Sequence, residues 1–415
     1  MSVSTTSTNK AVFIGILTGS VLTVLASGIF RYLRQGERNS DGDITDTEKQ
    51  NEQDQQQQLY PQYVEGVDGL IGNTPLMKIR SLSEATGCLI LGKAEFLNPG
   101  GSSKDRVALN MIKTAEENGI LEPHKGSTIF EGTVGSTGIS IAMVARAKGY
   151  KAWIVMPDDQ AKEKYQLLDK LGATVEKVRP VSIIDKKQFV NWARERAATF
   201  HDGDAVGYFA DQFENEANFQ AHYNNTGPEI YRQTAGKVDA LVLGAGTGGT
   251  LSGITCYLKE RLSNLKVFLA DPQGSGLYNK VKYNVMYAPT EKEGSRKRHQ
   301  VDTVVEGIGI NRLTKNFDKG RHLVDDAFRV TDEEAIKMSR YLVREDGLFI
   351  GSSSAVNCVA AVRAAKKLGP GHVIVTLLND SGQRHLTKFW SDDYLRAENI
   401  YSELQPEETV LDFVK

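Results

Sequence analysis

Apolar and polar positions divide the chain into three regimes. From Ala11 to Phe30 there are twenty residues without a charge: thirteen apolar, three glycines and four Ser or Thr. At ~1.5 Å of rise per residue a helix of that length spans ~30 Å, about one hydrocarbon core, so the stretch reads as a single transmembrane helix. Gln35 to Gln58 then holds one large apolar residue, Ile44, and ends in glutamines. Such a segment cannot offset the entropy of folding and is expected to be a polar linker. From Leu89 onward, short apolar runs alternate with helical stretches. Strands are expected at 127–131, 152–156, 174–178, 238–244, 267–271 and 373–378, rich in Val, Leu and Ile. Helices are expected at 137–148 and 160–171, and another near residue 104. In that last one Val107, Ala108, Met111, Ile112 and Ala115 form one stripe and Gly119 is the stop. Strands alternating with helices imply an α/β architecture built on largely parallel sheets.

Charge and cysteine usage narrow the function classes. The formal net charge is −2, and the Arg296-Lys297-Arg298-His299 run is short and isolated, so no nucleic-acid partner is expected. Cys88, Cys256 and Cys358 are far apart, and the seven histidines make no ligand pattern; no disulfide framework and no metal site are expected. Arg31, Arg34 and Arg38 follow the apolar span while only Lys10 precedes it. That bias keeps the carboxyl side in the cytosol and favours an uncleaved anchor over a cleaved leader. Short, moderately apolar spans with basic flanks resemble anchors of the mitochondrial outer membrane, which is the expected location.

The chemistry is expected where strands run into helices, since ligands of parallel sheets sit at the carboxyl ends of the strands. Asn98-Pro99-Gly100-Gly101-Ser102-Ser103 delivers Lys104 to a helix start, where N–H groups and the positive helix end disfavour its protonated form. That suits an amine that must attack a carbonyl. Thr133-Val134-Gly135-Ser136-Thr137 follows one strand and opens a helix, with N–H groups able to hold an anion. Gly246-Thr247-Gly248-Gly249-Thr250 follows another. Its glycines and hydroxyls make a phosphate cradle, and it lacks the lysine of a nucleoside-triphosphate loop. Asn379-Asp380-Ser381-Gly382 presents a hydroxyl after a third strand.

Taken in order, these motifs resemble those of the pyridoxal-phosphate cysteine synthase and cystathionine β-synthase family, over about Gly69 to Asp393. Ile71-Gly72-Asn73-Thr74-Pro75-Leu76 matches the family's opening motif, and Val305-Glu306-Gly307-Ile308-Gly309 a segment lining the cofactor pocket. The resemblance implies the two-lobed parallel-sheet fold of the tryptophan synthase β-like enzymes, preceded here by the transmembrane helix. It implies pyridoxal 5′-phosphate as cofactor, a Schiff base and a catalytic base at Lys104, phosphate binding by Gly246, Thr247, Gly248, Gly249 and Thr250, and a ring-nitrogen contact from Ser381. Thr133, Val134, Gly135, Thr137 and Gln212 would hold the substrate. The family carries Asn at the position of Ser136, where its amide reaches the cofactor 3′-hydroxyl, and Ser or Ala at that of Val134. These departures bear on substrate choice and turnover rather than on the cofactor.

The organisation expected from all this is a short segment 1–10, an anchor 11–30, a linker 31–59, a catalytic domain 60–395 and a tail 396–415. The expected reaction is cysteine synthesis: O-acetyl-L-serine loses acetate to leave an aminoacrylate, and sulfide adds to it. The alternatives are cystathionine formation, cysteine desulfhydration by β-elimination, and a catalytically weak, membrane-tethered relative. The expected partners are an amino-acid substrate, sulfide, the membrane, and a second copy in a homodimer.

Overall fold

Two parallel sheets organise the part of the chain that the structure, a computed structural model, describes: residues 63–183, 185–287 and 303–415. The anchor expected at 11–30 and the linker at 31–59 lie outside the described residues. Among the described residues, no helix is long and apolar enough to cross a membrane. Val64–Lys415 form one compact unit.

The strands are β1 (Leu76–Lys78), β2 (Leu89–Ala94), β3 (Thr128–Gly132), β4 (Lys151–Pro157), β5 (Thr174–Val178), β6 (Gly207–Phe209), β7 (Ala240–Gly244), β8 (Lys266–Pro272), β9 (Asp326–Val330) and β10 (Val373–Leu378). The larger sheet runs β1-β2-β10-β7-β8-β9, with only the β1–β2 pair antiparallel; the smaller runs β5-β4-β3-β6, all parallel. Every residue of β3 and β7 is buried, as expected of strands covered on both faces, and this is why they read as unbroken apolar runs. One member of β3 breaks that rule. Glu131 is a carboxylic acid with none of its surface exposed.

The helices that carry the site are α1 (Lys104–Glu117), α2 (Ser136–Ala147), α3 (Lys162–Lys170), α4 (Phe189–Ala198), α5 (Gly249–Lys259), α6 (Asp332–Asp346) and α7 (Ser352–Leu368). The buried face of α1 includes Val107, Ala108, Met111, Ile112 and Ala115, the stripe read from the sequence. It packs against α2 and the smaller sheet's core. Buried nearly all round, α7 uses Ala355, Ala360, Ala361, Ala364 and Ala365 to lie close on β10 and β7. Residues 396–415, expected as a tail, contribute Val410, Phe413 and Val414 to the larger sheet's core.

The loops that matter converge because of how the sheets are wound. Chain leaving β3 enters α2, chain leaving β7 enters α5, and chain leaving β10 turns at Asn379–Ser381. The loop ahead of α1 is fastened to that last turn: Ser102 bridges Asp380, and the Ser103 N–H donates to the Asn379 carbonyl (3.2 Å). Lys104 is thereby set at the end of β10.

Candidate active site

A cavity of about 330 Å³ opens among these strand ends, lined by residues of both sheets' loops. Of the residues singled out in the sequence, it brings together Lys104, Thr133, Val134, Ser136, Thr137, Gln212, Gly246, Thr247, Gly248 and Thr250. Gly135 and Gly249 stand just behind the lining. A Cβ on Gly135 would meet the Lys164 chain at 2.6 Å, and one on Gly249 would meet Asn218 Oδ1 at 2.2 Å.

Lys104 opens α1 with part of its surface facing the cavity and protein packed around the rest. Burial lowers its amine below the usual lysine range, against the pull of Asp380 and Glu95. The expected direction holds, and the larger cause is desolvation rather than the helix end. The turn before it is fixed by Asp105, whose carboxylate accepts from the Gly100 N–H (2.7 Å) and from the Ser140 hydroxyl of α2. A Cβ on Gly100 would meet that carboxylate at 2.4 Å, so glycine is required there. Burial pushes the Asp105 carboxyl up to about 6.

The glycine loop forms a tight cradle at the amino end of α5. Gly248, at φ 84°, takes the left-handed conformation that turns the chain into the helix, and a Cβ there would meet Phe317 at 2.3 Å. A Cβ on Gly246 would meet the Gly307 carbonyl at 2.5 Å. The Thr247 hydroxyl accepts from Asn218 Nδ2 (2.9 Å), and Thr250 Oγ1 lies 3.0 Å from Nε2 of the buried His222. Burial holds His222 well below the ordinary histidine range, so its neutral ring can leave the Thr250 hydroxyl free to face an anion. Backbone N–H groups, two hydroxyls and the end of an eleven-residue helix are what a phosphate monoester requires. With an amine whose pKa burial lowers lining the same cavity, the residues fit pyridoxal phosphate.

On the facing wall, the Thr137 hydroxyl donates to Gln212 Oε1 (2.6 Å), and Gln212 Nε2 points back toward Glu131 Oε1 (3.2 Å). The Thr133 hydroxyl accepts from the Gly135 N–H (3.2 Å). Ser136 accepts from Arg384 Nη1 (3.2 Å), so its hydroxyl is already engaged from the β10 side.

One expected residue does not line the cavity. Ser381 is not among the lining residues; its hydroxyl caps a short 3-10 turn, Gly382–Arg384, by accepting from the Gln383 N–H (3.2 Å). Among the serines that line the cavity is Ser353, in the first turn of α7, whose hydroxyl accepts from Asn379 Nδ2 (3.1 Å). The signal available was the Gly351-Ser352-Ser353-Ser354 run at a helix start. A charged group also went unread. Lys164 donates to Glu306 (2.6 Å), His385 contacts Glu306 (3.1 Å) and Asp380 (2.9 Å), and all four line the cavity. The carboxylates on either side raise His385 to about 9 despite burial, while Lys164 and His385 hold Glu306 far below the carboxylate range.

Comparison with known proteins agrees with this chemistry. The family described as pyridoxal-phosphate dependent enzyme matches residues 67–380. Cysteine synthase 2 of Emericella nidulans is 63% identical over 344 residues, 80% of each chain. A protein of Saccharomyces cerevisiae called putative mitochondrial cysteine synthase is 55% identical over 84% of this chain and 89% of its own. Among solved structures, an O-acetylserine dependent cystathionine β-synthase from Helicobacter pylori superposes with a TM-score of 0.68 at 31% identity, over 79% of this chain and 99% of that one.

Proposed function

The chain belongs to the pyridoxal-phosphate dependent enzymes, and from that premise we propose that it is a cysteine synthase, forming L-cysteine from O-acetyl-L-serine and sulfide by β-replacement. The observation that carries the reading is the convergence on one cavity of a desolvated lysine, a glycine phosphate cradle and a second helix-start loop able to hold a carboxylate. Pyridoxal phosphate, when bound, supplies an electron sink that acidifies the substrate's α-carbon and lets the β-substituent leave.

The chain's own residues supply the rest. Lys104 Nζ, whose protonated form burial disfavours, would anchor the cofactor and serve as general base for the α-proton. Gly246, Thr247, Gly248, Gly249 and Thr250 hold the phosphate at the amino end of α5. The ring-nitrogen partner in this reading is Ser381 at the end of β10, whose hydroxyl accepts from the Gln383 N–H and keeps its own proton to donate. A neutral hydroxyl there leaves the ring less electron-withdrawing than a carboxylate partner would, which favours β-chemistry over transamination. Thr133, Val134, Gly135 and Thr137 offer N–H and hydroxyl donors to the substrate carboxylate, with Gln212 beside them. Glu306, Lys164 and His385 close the cavity from the side and restrict water.

The test is an assay of the purified, cofactor-loaded protein with O-acetylserine and sulfide, beside serine and homocysteine. Cysteine should form at the higher kcat/KM; a preference for cystathionine would move the protein to the sister activity suggested by the Helicobacter pylori structure. Lys104→Ala should lower turnover by ~10²–10⁴-fold, the span a positioned acid–base group supplies. Borohydride reduction and peptide mapping should mark Lys104, and a label on any other lysine would overturn its role.

The proposed organisation extends the catalytic domain from about residue 60 to 415, because Val410, Phe413 and Val414 pack into the larger sheet's core, with the domain working as a homodimer and facing the cytosol on a membrane held by residues 11–30. The yeast relative's name favours a mitochondrial site, and the basic flank of the apolar span favours the cytosolic side for the catalytic domain. Resistance of the full-length protein to alkaline carbonate extraction is the expected result, and release into the supernatant would discard the anchor.

A further inference from the structure

The substrate wall holds an arrangement that its proposed task does not explain. A carboxylate has to be met by hydrogen-bond donors, yet Gln212 turns its amide oxygen toward Thr137, which spends its hydroxyl proton on it (2.6 Å). The amide nitrogen points the other way, to Glu131 Oε1 (3.2 Å) and the Gly132 carbonyl (3.4 Å). The Gln212 backbone N–H also donates to Glu131, at Oε2 (3.3 Å). An ionised Glu131 accepts only, so it would hold the amide NH₂ inward and leave an oxygen facing an incoming anion. A protonated Glu131 removes that constraint, because its O–H can donate to the amide oxygen once the amide has turned. Turning costs little at Gly132, where the contact lies at the long edge of a hydrogen bond. After the turn, Gln212 Nε2 faces the cavity, and the Thr137 hydroxyl can donate to the substrate as well.

We propose that Glu131 is a positioning residue for the substrate's carboxylate: as a neutral acid it donates to the Gln212 amide oxygen and so lets the amide NH₂ face the cavity. This rests on the reading of Gln212 as a substrate-carboxylate residue. The geometry favours the neutral form. Glu131 has no exposed surface and sits inside a fully buried strand, and the main charge acting on it is Asp211, both of which outweigh the Gln212 and Gly132 hydrogen bonds that favour the ionised form. From the elements packed on β3, the titratable groups beside it are Asp211, which follows β6, and Tyr208 on β6, and Arg194 of α4 pairs with Asp211 at 3.5 Å. The β4 neighbour in register is Ile154, and α2 contributes the uncharged Thr137 through Gln212. Burial, helped by the Asp211 charge, raises the carboxyl to about 8. The wall is therefore ready for substrate at neutral pH and loses its donor above that value.

The measurement is KM and kcat for O-acetylserine from pH 6.5 to 9.5, for the wild-type holoenzyme and for Glu131→Gln, whose amide is neutral at every pH and can donate. Taking the ratio of the two KM values cancels ionisation of the substrate and of groups shared by both proteins. The ratio should stay level below about pH 7.5 and then climb toward tenfold per pH unit, with the kcat ratio flat. A second variant, Asp211→Asn, removes the neighbouring charge at a left-handed position (φ 50°) that Asn tolerates, and should move the KM break to lower pH. A KM ratio level throughout, or a break that ignores Asp211→Asn, would overturn the proposal. Gln212→Ala separates the two readings: unchanged KM in that variant defeats the role of Gln212 itself. A raised KM there beside a level wild-type to Glu131→Gln ratio defeats only the role of Glu131.

Discussion

At the residue scale, Ser136 shows how one side chain changes meaning once its neighbours are known. The sequence marks it as an Asn replaced by a shorter group, with a lost contact to the cofactor as the consequence. In the structure its hydroxyl accepts from Arg384, which comes from the turn after β10, so the side chain joins two walls of the cavity. Ser136→Asn should then set two effects against each other: a longer reach to the cofactor and displacement of the guanidinium. One neutral hydrogen bond is worth ~0.5–1.5 kcal/mol, at most roughly tenfold in rate. The expected outcome is a change within that bound in single-turnover consumption of O-acetylserine, with little shift in melting temperature. Equal rates would mean that Ser136 does not distinguish this enzyme from relatives carrying Asn. The residues hidden from sequence reading are of another kind. His385 and Glu131 carry no local pattern that marks a role; each acquires one from what the fold sets beside it.

At the element scale, legibility followed burial and turn chemistry. Strand β10 was read to the residue, and β3, β4, β7 and β8 to within two, because parallel strands covered on both faces are continuous apolar runs; β5, an edge strand with no buried residue, was read to the residue through its β-branched Thr174, Val175 and Val178. Strands β1 and β6 are three residues each, too short for any period to show, and β9 alternates apolar with charged residues. The loops between were legible for a different reason, since glycine marks places where side chains have no room. Gly248 is the sharpest instance. Alanine there adds a left-handed penalty of ~1–2 kcal/mol and an overpacking cost of ~1–3 kcal/mol against Phe317. Gly248→Ala should therefore destabilise the apoprotein by about 2–5 kcal/mol in denaturant unfolding. It should also weaken cofactor binding measured by equilibrium dialysis. An apoprotein as stable as wild type would show that the amino end of α5 shifts without cost, and the cradle would lose its claim to be preformed.

For the molecule as a whole, the charged group around His385 joins the two sheets across the cavity. Lys164 belongs to α3 beside the smaller sheet, while Glu306, Asp380 and His385 come from the larger sheet's loops. Thr387 and Lys388 extend the seam, contacting Glu163 and the Asp159 carbonyl. The pH response follows from the directions of the shifts. His385 is raised from an ordinary 6.5 to about 9, so its pairing stabilises the fold fully below about 6.5 and is lost as pH climbs through about 9. Glu306 and Asp380 are depressed; their contribution is present above the ordinary carboxylate range and is lost as pH falls through their lowered values. Glu131, at about 8, and Asp271, at about 7, are buried acids with raised values, so the folded state binds more protons than the unfolded one across that interval. They too lower stability as pH rises from about 4 toward 8. All these effects act in one direction on the alkaline side. Melting temperature should fall from pH 7 to about 9 and level off above that, with the buried acids contributing up to about 8 and His385 carrying the fall between about 8 and 9. His385→Gln should lower the melting temperature at pH 7 and flatten the profile above about pH 8, leaving the fall due to the buried acids below it. A variant whose alkaline profile parallels wild type would place the loss elsewhere, and the seam would not be what holds the two sheets together across the cavity.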